Sequence, residues 1–156
     1  MQTLLSLFHY NAWANGRILP LLSRLSSEQL SAPVEAMFGT ILETANHLLG
    51  VERVYLQMLS DEPAQRAPAF PLEALAPTSA ELGAGYHGLL AHLDESALNT
   101  TFRVPWFERE FTRRDGLLQV VTHSTEHRAD LAAALTRCGI ATPPIDYAVY
   151  VIDSGR

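Results

Sequence analysis

The most helix-like run of the chain, Asp115 to Cys138, carries the segment Thr122-His123-Ser124-Thr125-Glu126-His127-Arg128-Ala129-Asp130. A helix this long needs neighbours to cover its apolar side, and its pitch decides which side chains can meet. His123 and His127, four apart, point the same way, offset by about 40° and roughly 6 Å apart at Cβ. That spacing lets two imidazoles reach one divalent metal ion. With six histidines in the chain, a chance His-x3-His arises in about one such chain in five, so the pair alone is a weak signal. The competing reading is two part-buried histidines bonded to backbone or carboxylate.

A length of 156 residues suits one domain with one core, spanning 1–156. The formal charge is −6 with only 11 Lys+Arg, and no basic cluster appears. This argues against nucleic acid as a partner, which needs cationic patches, and against docking on an anionic membrane. No apolar run approaches the length of a membrane span. The N-terminus lacks a charged region followed by an apolar one, so it does not read as a signal peptide. The lone cysteine, Cys138, allows no internal disulfide and makes the cytoplasm the default compartment.

Four helices are expected. The first spans Thr3 to Leu25, with Leu4, Leu7, Phe8, Ala12, Ile18, Leu19 and Leu22 on one face. Pro20 should kink or divide it by removing the bond to Gly16. Asn11 and Asn15 lie one turn apart close to that face, either bonded to a neighbour or ligand or at its solvent edge. A capped turn follows at Ser26 to Leu30. The second helix runs from about Phe38 to Leu59 and carries His47, with Glu43 one turn earlier and able to orient it; a lone histidine on a core helix is usually structural. Ser60 to Pro77 holds four prolines, a long connection that either covers one end of the helices or simply crosses over. The third helix is expected from Thr78, where Thr78-x-x-Glu81 fits a capping box. Gly83, Gly85 and Gly88 would permit close helix approach, and His87 and His92 read as surface residues. Between Asn99 and Arg114 a period of two predicts an extended arm or loose hairpin, with Trp106 and Phe107 either lining the mouth of a pocket or, in a packed loop, capping the core. The fourth helix starts at Asp115 as N-cap and ends before Gly139. Its inward face includes His123 and His127, and Asp130 shares their side. Ile145 to Ile152 should pack back on the bundle.

Four stretches now line up in order: Tyr10-Asn11-Ala12-Trp13-Ala14-Asn15, His47-Leu48-Leu49-Gly50-Val51-Glu52-Arg53, His123-x3-His127-Arg128, and Cys138-Gly139-x4-Pro144-x-Asp146. Together they resemble the DinB family of the DinB/YfiT-like superfamily over nearly the whole chain. The resemblance implies an all-α four-helix bundle with long loops, often a homodimer, and one divalent metal, zinc or nickel, held by His47, His123 and His127 with water completing the site. Members of the wider superfamily act on small-molecule substrates with low-molecular-weight thiols such as bacillithiol, mycothiol or glutathione. One departure stands out: the family commonly has His-Arg-Gly-Gln where this chain has His127-Arg128-Ala129-Asp130. Asp130 would either accept a hydrogen bond from a ligand imidazole or bind the ion itself.

Three neutral histidines leave an ion its +2 charge and an open position, the arrangement of catalytic zinc sites. Glu126 and Asp130 are the candidate proton carriers, and Arg53 and Arg128 the candidate cations for an anionic cosubstrate. His123-x-x-Glu126-His127 also fits an inverted zinc-peptidase motif, but the 29 residues after His127 contain no glutamate to serve as third ligand. A di-iron bundle requires Glu-x-x-His, which the chain lacks. The strongest rival is a non-enzymatic metal-binding or stress-associated bundle whose ion is structural. Cys138, at a helix C-terminus where the dipole disfavours a thiolate, reads as an ordinary thiol.

Overall fold

A computed structural model describes residues 2–34, 38–65 and 68–155. It is mostly helical, and four long helices form the bundle: α1 Gln2–Ile18, α3 Ile41–Leu59, α4 Leu75–His92 and α6 Arg113–Arg137. Shorter helices α2 Ser27–Ser31, α5 Glu95–Leu98 and α7 Tyr147–Asp153 accompany one hairpin, β1 Thr101–Val104 and β2 Arg109–Thr112. Both α1 and α3 pack on α4 and on α6, so the four long helices close a square. No helix among the described residues is long and apolar enough to cross a membrane.

Two apolar clusters make up most of the core. One joins Leu4 and Phe8 of α1, Tyr55 and Leu59 of α3, Tyr86 and Leu90 of α4, and Leu117 and Val121 of α6. The other joins Ile18 after the α1 midpoint, Ile41 and Leu48 early in α3, Leu75 and Leu82 early in α4, and Leu131 and Leu135 late in α6. Each helix therefore runs from one cluster to the other, α1 and α6 in one direction, α3 and α4 in the opposite one. Because α3 and α4 are parallel neighbours, the connection between them, described over 60–65 and 68–74, must return along the bundle. The proline-rich stretch is this crossover, pinned to α3 where Asn46 Nδ2 donates to Phe70 O at 3.2 Å and Phe70 N donates to Asn46 Oδ1 at 2.5 Å.

Local chemistry sets the helix ends. Ser26/Gln29, Thr40/Glu43 and Thr112/Asp115 each form a reciprocal capping box. The second long helix thus starts at Ile41 rather than Phe38. Asp115 is the third residue of α6, not its cap. The expected Thr78/Glu81 box is not formed: α4 begins three residues earlier, with no side-chain cap and with Pro77 in its first turn, where a missing N–H leaves no helical bond unmade. α1 stops at Ile18 and continues as a 3-10 turn, Leu19–Arg24, containing Pro20. Gly139, at φ +79°, follows α6 in the left-handed conformation. Gly83 and Gly85 do mark close packing: a Cβ would come within 3.1 Å of Ala12 Cβ and 2.6 Å of a Leu56 methyl, whereas at Gly88 it would meet nothing within 4 Å. The alternating arm is the hairpin, with Phe102 opposite Phe111 and Glu108 left-handed at its tip. The C-terminal segment is helix α7, held on α1 by Tyr10, whose hydroxyl donates to Ile145 O at 2.9 Å, and by ring contacts among Tyr10, Trp13 and Tyr150.

Between the apolar clusters lies a polar layer. Glu52 of α3 is 2% exposed and Arg128 of α6 is 0% exposed. Two asparagines of α1 relay between them. Asn11 Nδ2 donates to Glu52 Oε1 at 2.7 Å while its Oδ1 accepts from Arg128 Nη1 at 2.5 Å. Asn15 repeats the pattern at 3.1 and 2.9 Å. Ser124 Oγ also donates to Glu52 Oε1, at 2.7 Å. From α4, the Tyr86 hydroxyl donates to the Glu52 carbonyl at 2.6 Å. Burial, with Glu52 nearby, holds that phenol well above its ordinary pKa, so it stays a donor. Burial lowers the Arg128 guanidinium's hold on its proton, and Tyr10 and Glu52 act in the opposite direction.

Removing one member of such a buried charge pair leaves the other uncompensated, at a cost of about 3–5 kcal/mol. Arg128→Met and Glu52→Gln should each lower unfolding free energy in urea by about that much, and the double variant by less than the sum. Additive losses would mean that the two charges are not coupled.

Candidate metal centre

On α6 two pairs of residues four apart lie side by side. Ser124 and Arg128 face inward, fully buried. His123 and His127, each one position earlier and turned by about 100°, stand at the groove between α6 and α3, half-buried rather than on the inward face. His47, on the facing side of α3, is also half-buried. One nitrogen from each of these three imidazoles lies within 4.8 Å of the others. The rings sit 4.4 to 4.9 Å apart, centroid to centroid.

The donor set fits a divalent ion. His47 Nε2 and His123 Nε2 are 3.1 Å apart, close to the roughly 3.3 Å expected of two nitrogens at 2.0–2.1 Å from one tetrahedral zinc. On His127, Nδ1 faces Asp130 Oδ2 at 3.4 Å. An ion held through Nε2 would leave this carboxylate on the opposite nitrogen of the ring. The buried Nδ1 atoms of His123 and His127 have no hydrogen-bond partner of good geometry. Phe38 stacks on His47, centroids 3.8 Å apart and planes 15° from parallel, and meets His127 edge-on at 6.5 Å.

Electrostatics favour the neutral form of two of the rings, His123 and His47. Burial, then the neighbouring His127 and His47, pushes the His123 pKa down to about 4. Burial, then His127, lowers that of His47. Neutral imidazole is the form that binds metals.

Of the other candidates, Asp130 joins the site as the neighbour of His127, whereas Glu126 is exposed and outside the three-imidazole group. Arg128 is committed to the polar layer and does not face an anionic cosubstrate. Arg53 lies 6.0 Å from the Phe70 ring centre, at a smaller cavity of about 450 Å³. Glu43 does not orient His47; its carboxylate accepts from Thr40 N at 2.8 Å and caps α3. His87 is half-buried against His9, ring centroids 4.1 Å apart, while His92 is exposed. Residue-by-residue reading left Glu52 without a role and Asn11 and Asn15 undecided. The available signal was a glutamate within the apolar stripe of α3, which burial obliges to find partners on other helices.

A cavity of about 790 Å³ adjoins the site. It is lined by Phe38, by residues of α3 including His47, by Phe70 of the crossover, and by Pro105 with Trp106; of the three histidines, His47 is the one among the described lining residues. Trp106 thus reaches the pocket as expected; Phe107 does not line it and packs against Phe111, ring centroids 5.8 Å apart.

The sequence profile of the DinB family matches residues 1–153. The chain belongs to the DinB family. Protein DinB of Bacillus subtilis (strain 168) is 25% identical over 157 aligned positions, covering 93% of this chain and 91% of that protein. A crystal structure of a DinB-like protein from Bacillus cereus ATCC 10987 superposes with a TM-score of 0.75 at 17% identity, over 92% of this chain and 96% of that one. A second, from Bacillus subtilis, gives 0.68 at 18% identity, over 91% and 96%. These likenesses establish the DinB-like fold, within which His47, His123 and His127 form a group that could hold a metal ion.

The lowered imidazole pKa values carry a pH dependence. The unfolded chain protonates His123 below about 6.5, whereas the fold resists protonation down to about 4. Between those values the unfolded state binds more protons, so stability rises with pH and is lost as pH falls. Metal-free protein should melt at progressively lower temperature from pH 6.5 to 4.5, with a shallower slope in His123→Asn. Equal slopes would count against the assignment.

Proposed function

We propose that this DinB-family protein is a divalent-metal-dependent enzyme acting on a small molecule, of the thiol-transfer or hydrolytic type, with zinc or nickel as the ion. The observation that carries this reading is the convergence of His47, His123 and His127 on one point, with His47 also lining a cavity large enough for a substrate. A +2 ion bound there would lower the pKa of a bound thiol or water and favour the attacking anion near neutral pH. His47 and His123 would present Nε2 to it. Asp130, placed on Nδ1 of His127, would orient that ring and increase its basicity. Asp130 is also the residue placed to hold a proton nearest the site, since Glu126 points to solvent. A low-molecular-weight thiol as cosubstrate, a homodimeric assembly and a cytoplasmic location belong to the same proposal.

A second reading, a non-enzymatic bundle with a structural ion, requires a closed coordination shell. Asp130 is the residue that would close it. Its position on the far nitrogen of His127 favours an open site and therefore the enzyme.

Elemental analysis of tag-free protein should find about one divalent ion per chain, and none in a His123→Ala/His127→Ala variant that keeps its helical circular dichroism. Thiol-transfer assays, metal by metal, follow from that result. Absence of retained metal, with no thermal shift on adding zinc or nickel, would remove the basis for this function.

A further inference from the structure

Resting on that metal-dependent reading, we infer that the cavity selects substrates with an apolar, ring-sized body whose polar head meets the three-histidine site. The walls supply the argument. Val51 and Val54 on the floor, Phe70 on the crossover and Trp106 on the rim are apolar or aromatic. The polar wall residues are already engaged. Asn46 uses its Nδ2 on Leu42 O and Phe70 O, and its Oδ1 on Phe70 N. Glu43, the one acid or base other than His47 among the described lining residues, caps α3. A ligand's body is thus offered contact area and few hydrogen-bond partners, and a polar body would lose its hydration without replacement. His47 alone belongs both to the described lining and to the three-histidine group, so a metal-seeking head would be placed beside it.

Size and access agree. A cavity of about 150 Å³ holds a benzene ring, so about 790 Å³ takes a ring with substituents. Gly50, one turn beyond His47, borders the cavity, and a Cβ there would meet nothing within 4 Å. A larger residue at this position would occupy ligand space without disturbing the packing. It would also strengthen α3, because glycine is a poor helix former.

The test uses zinc-loaded protein in a Trp13→Phe background, leaving Trp106 as the sole tryptophan of the two in the chain. Acetohydroxamic acid and benzohydroxamic acid share a metal-binding head and differ in the body. Titration followed by Trp106 fluorescence and by calorimetry should show benzohydroxamic acid binding about tenfold tighter or more, the gain expected from burying a phenyl ring. Gly50→Leu should erase that preference, retain about one zinc per chain and melt no lower than its parent. Equal binding of the two acids to zinc-loaded protein, or a preference that survives Gly50→Leu, would overturn the inference and leave the metal site standing. Failure to load zinc at all would overturn the metal-dependent function and this inference with it.

Discussion

A carboxylate and a guanidinium buried at the middle of a helical bundle are the constraint around which this protein is built. Glu52 and Arg128 do not touch; the amides of Asn11 and Asn15 stand between them, each with its NH₂ toward the acid and its carbonyl toward the base. With Ser124 and Tyr86 included, the layer engages all four long helices. Apolar packing alone tolerates sliding of one helix past another by a turn, since leucine meets leucine either way. A buried charge does not, because each partner it loses exposes a desolvation cost of several kcal/mol. The layer therefore sets the register of α1, α3 and α6, and the apolar clusters on either side contribute the bulk of the cohesive energy.

The three-histidine group inherits that register. His123 and His127 precede Ser124 and Arg128 by one residue each, so fixing the inward pair fixes the imidazole pair beside it. His47 lies five residues before Glu52 on α3, and the same clamp sets its height against α6. Ligands on two separate helices can converge only if the helices cannot shift, and polar groups within the bundle supply what the half-exposed imidazoles cannot impose on themselves. Two of the group's rings are at the same time electrostatically prepared: burial and neighbouring imidazoles lower the pKa values of His123 and His47, and Asp130 stands 3.4 Å from Nδ1 of His127.

Topology explains where the cavity comes from. Parallel α3 and α4 require a connection that travels the length of the bundle, and its prolines keep it from becoming another helix. Held to α3 through Asn46 and Phe70, this crossover stands off from the helix enough to leave space beside His47. The hairpin closes the far side with Trp106. The cavity thus results from an unavoidable chain reversal, placed next to the three-histidine group because Asn46 and His47 are adjacent.

Much was legible in the amino-acid order. Periodic apolar residues, capping pairs and breakers such as Pro20 and Gly139 act within a turn or two, so the four long helices and the hairpin could be read directly, with ends displaced by a few residues where Thr40, Thr112 and the Pro77 turn competed with other caps. The pairing of His123 with His127 is likewise a property of helical pitch. The union of both with His47, 76 residues distant from His123, was expected only from family resemblance, since no local rule links separate helices. Glu52, Asn11 and Asn15 had no assigned role for the same reason: a buried polar group declares that it needs partners, but only the packed bundle decides which ones. By itself the sequence determined the helices, their apolar faces and one pair of histidines placed to share an ion. Tertiary structure decided the helix directions, the polar layer that locks them, the third histidine of the group and the cavity, because each depends on distances between elements that the chain order does not contain.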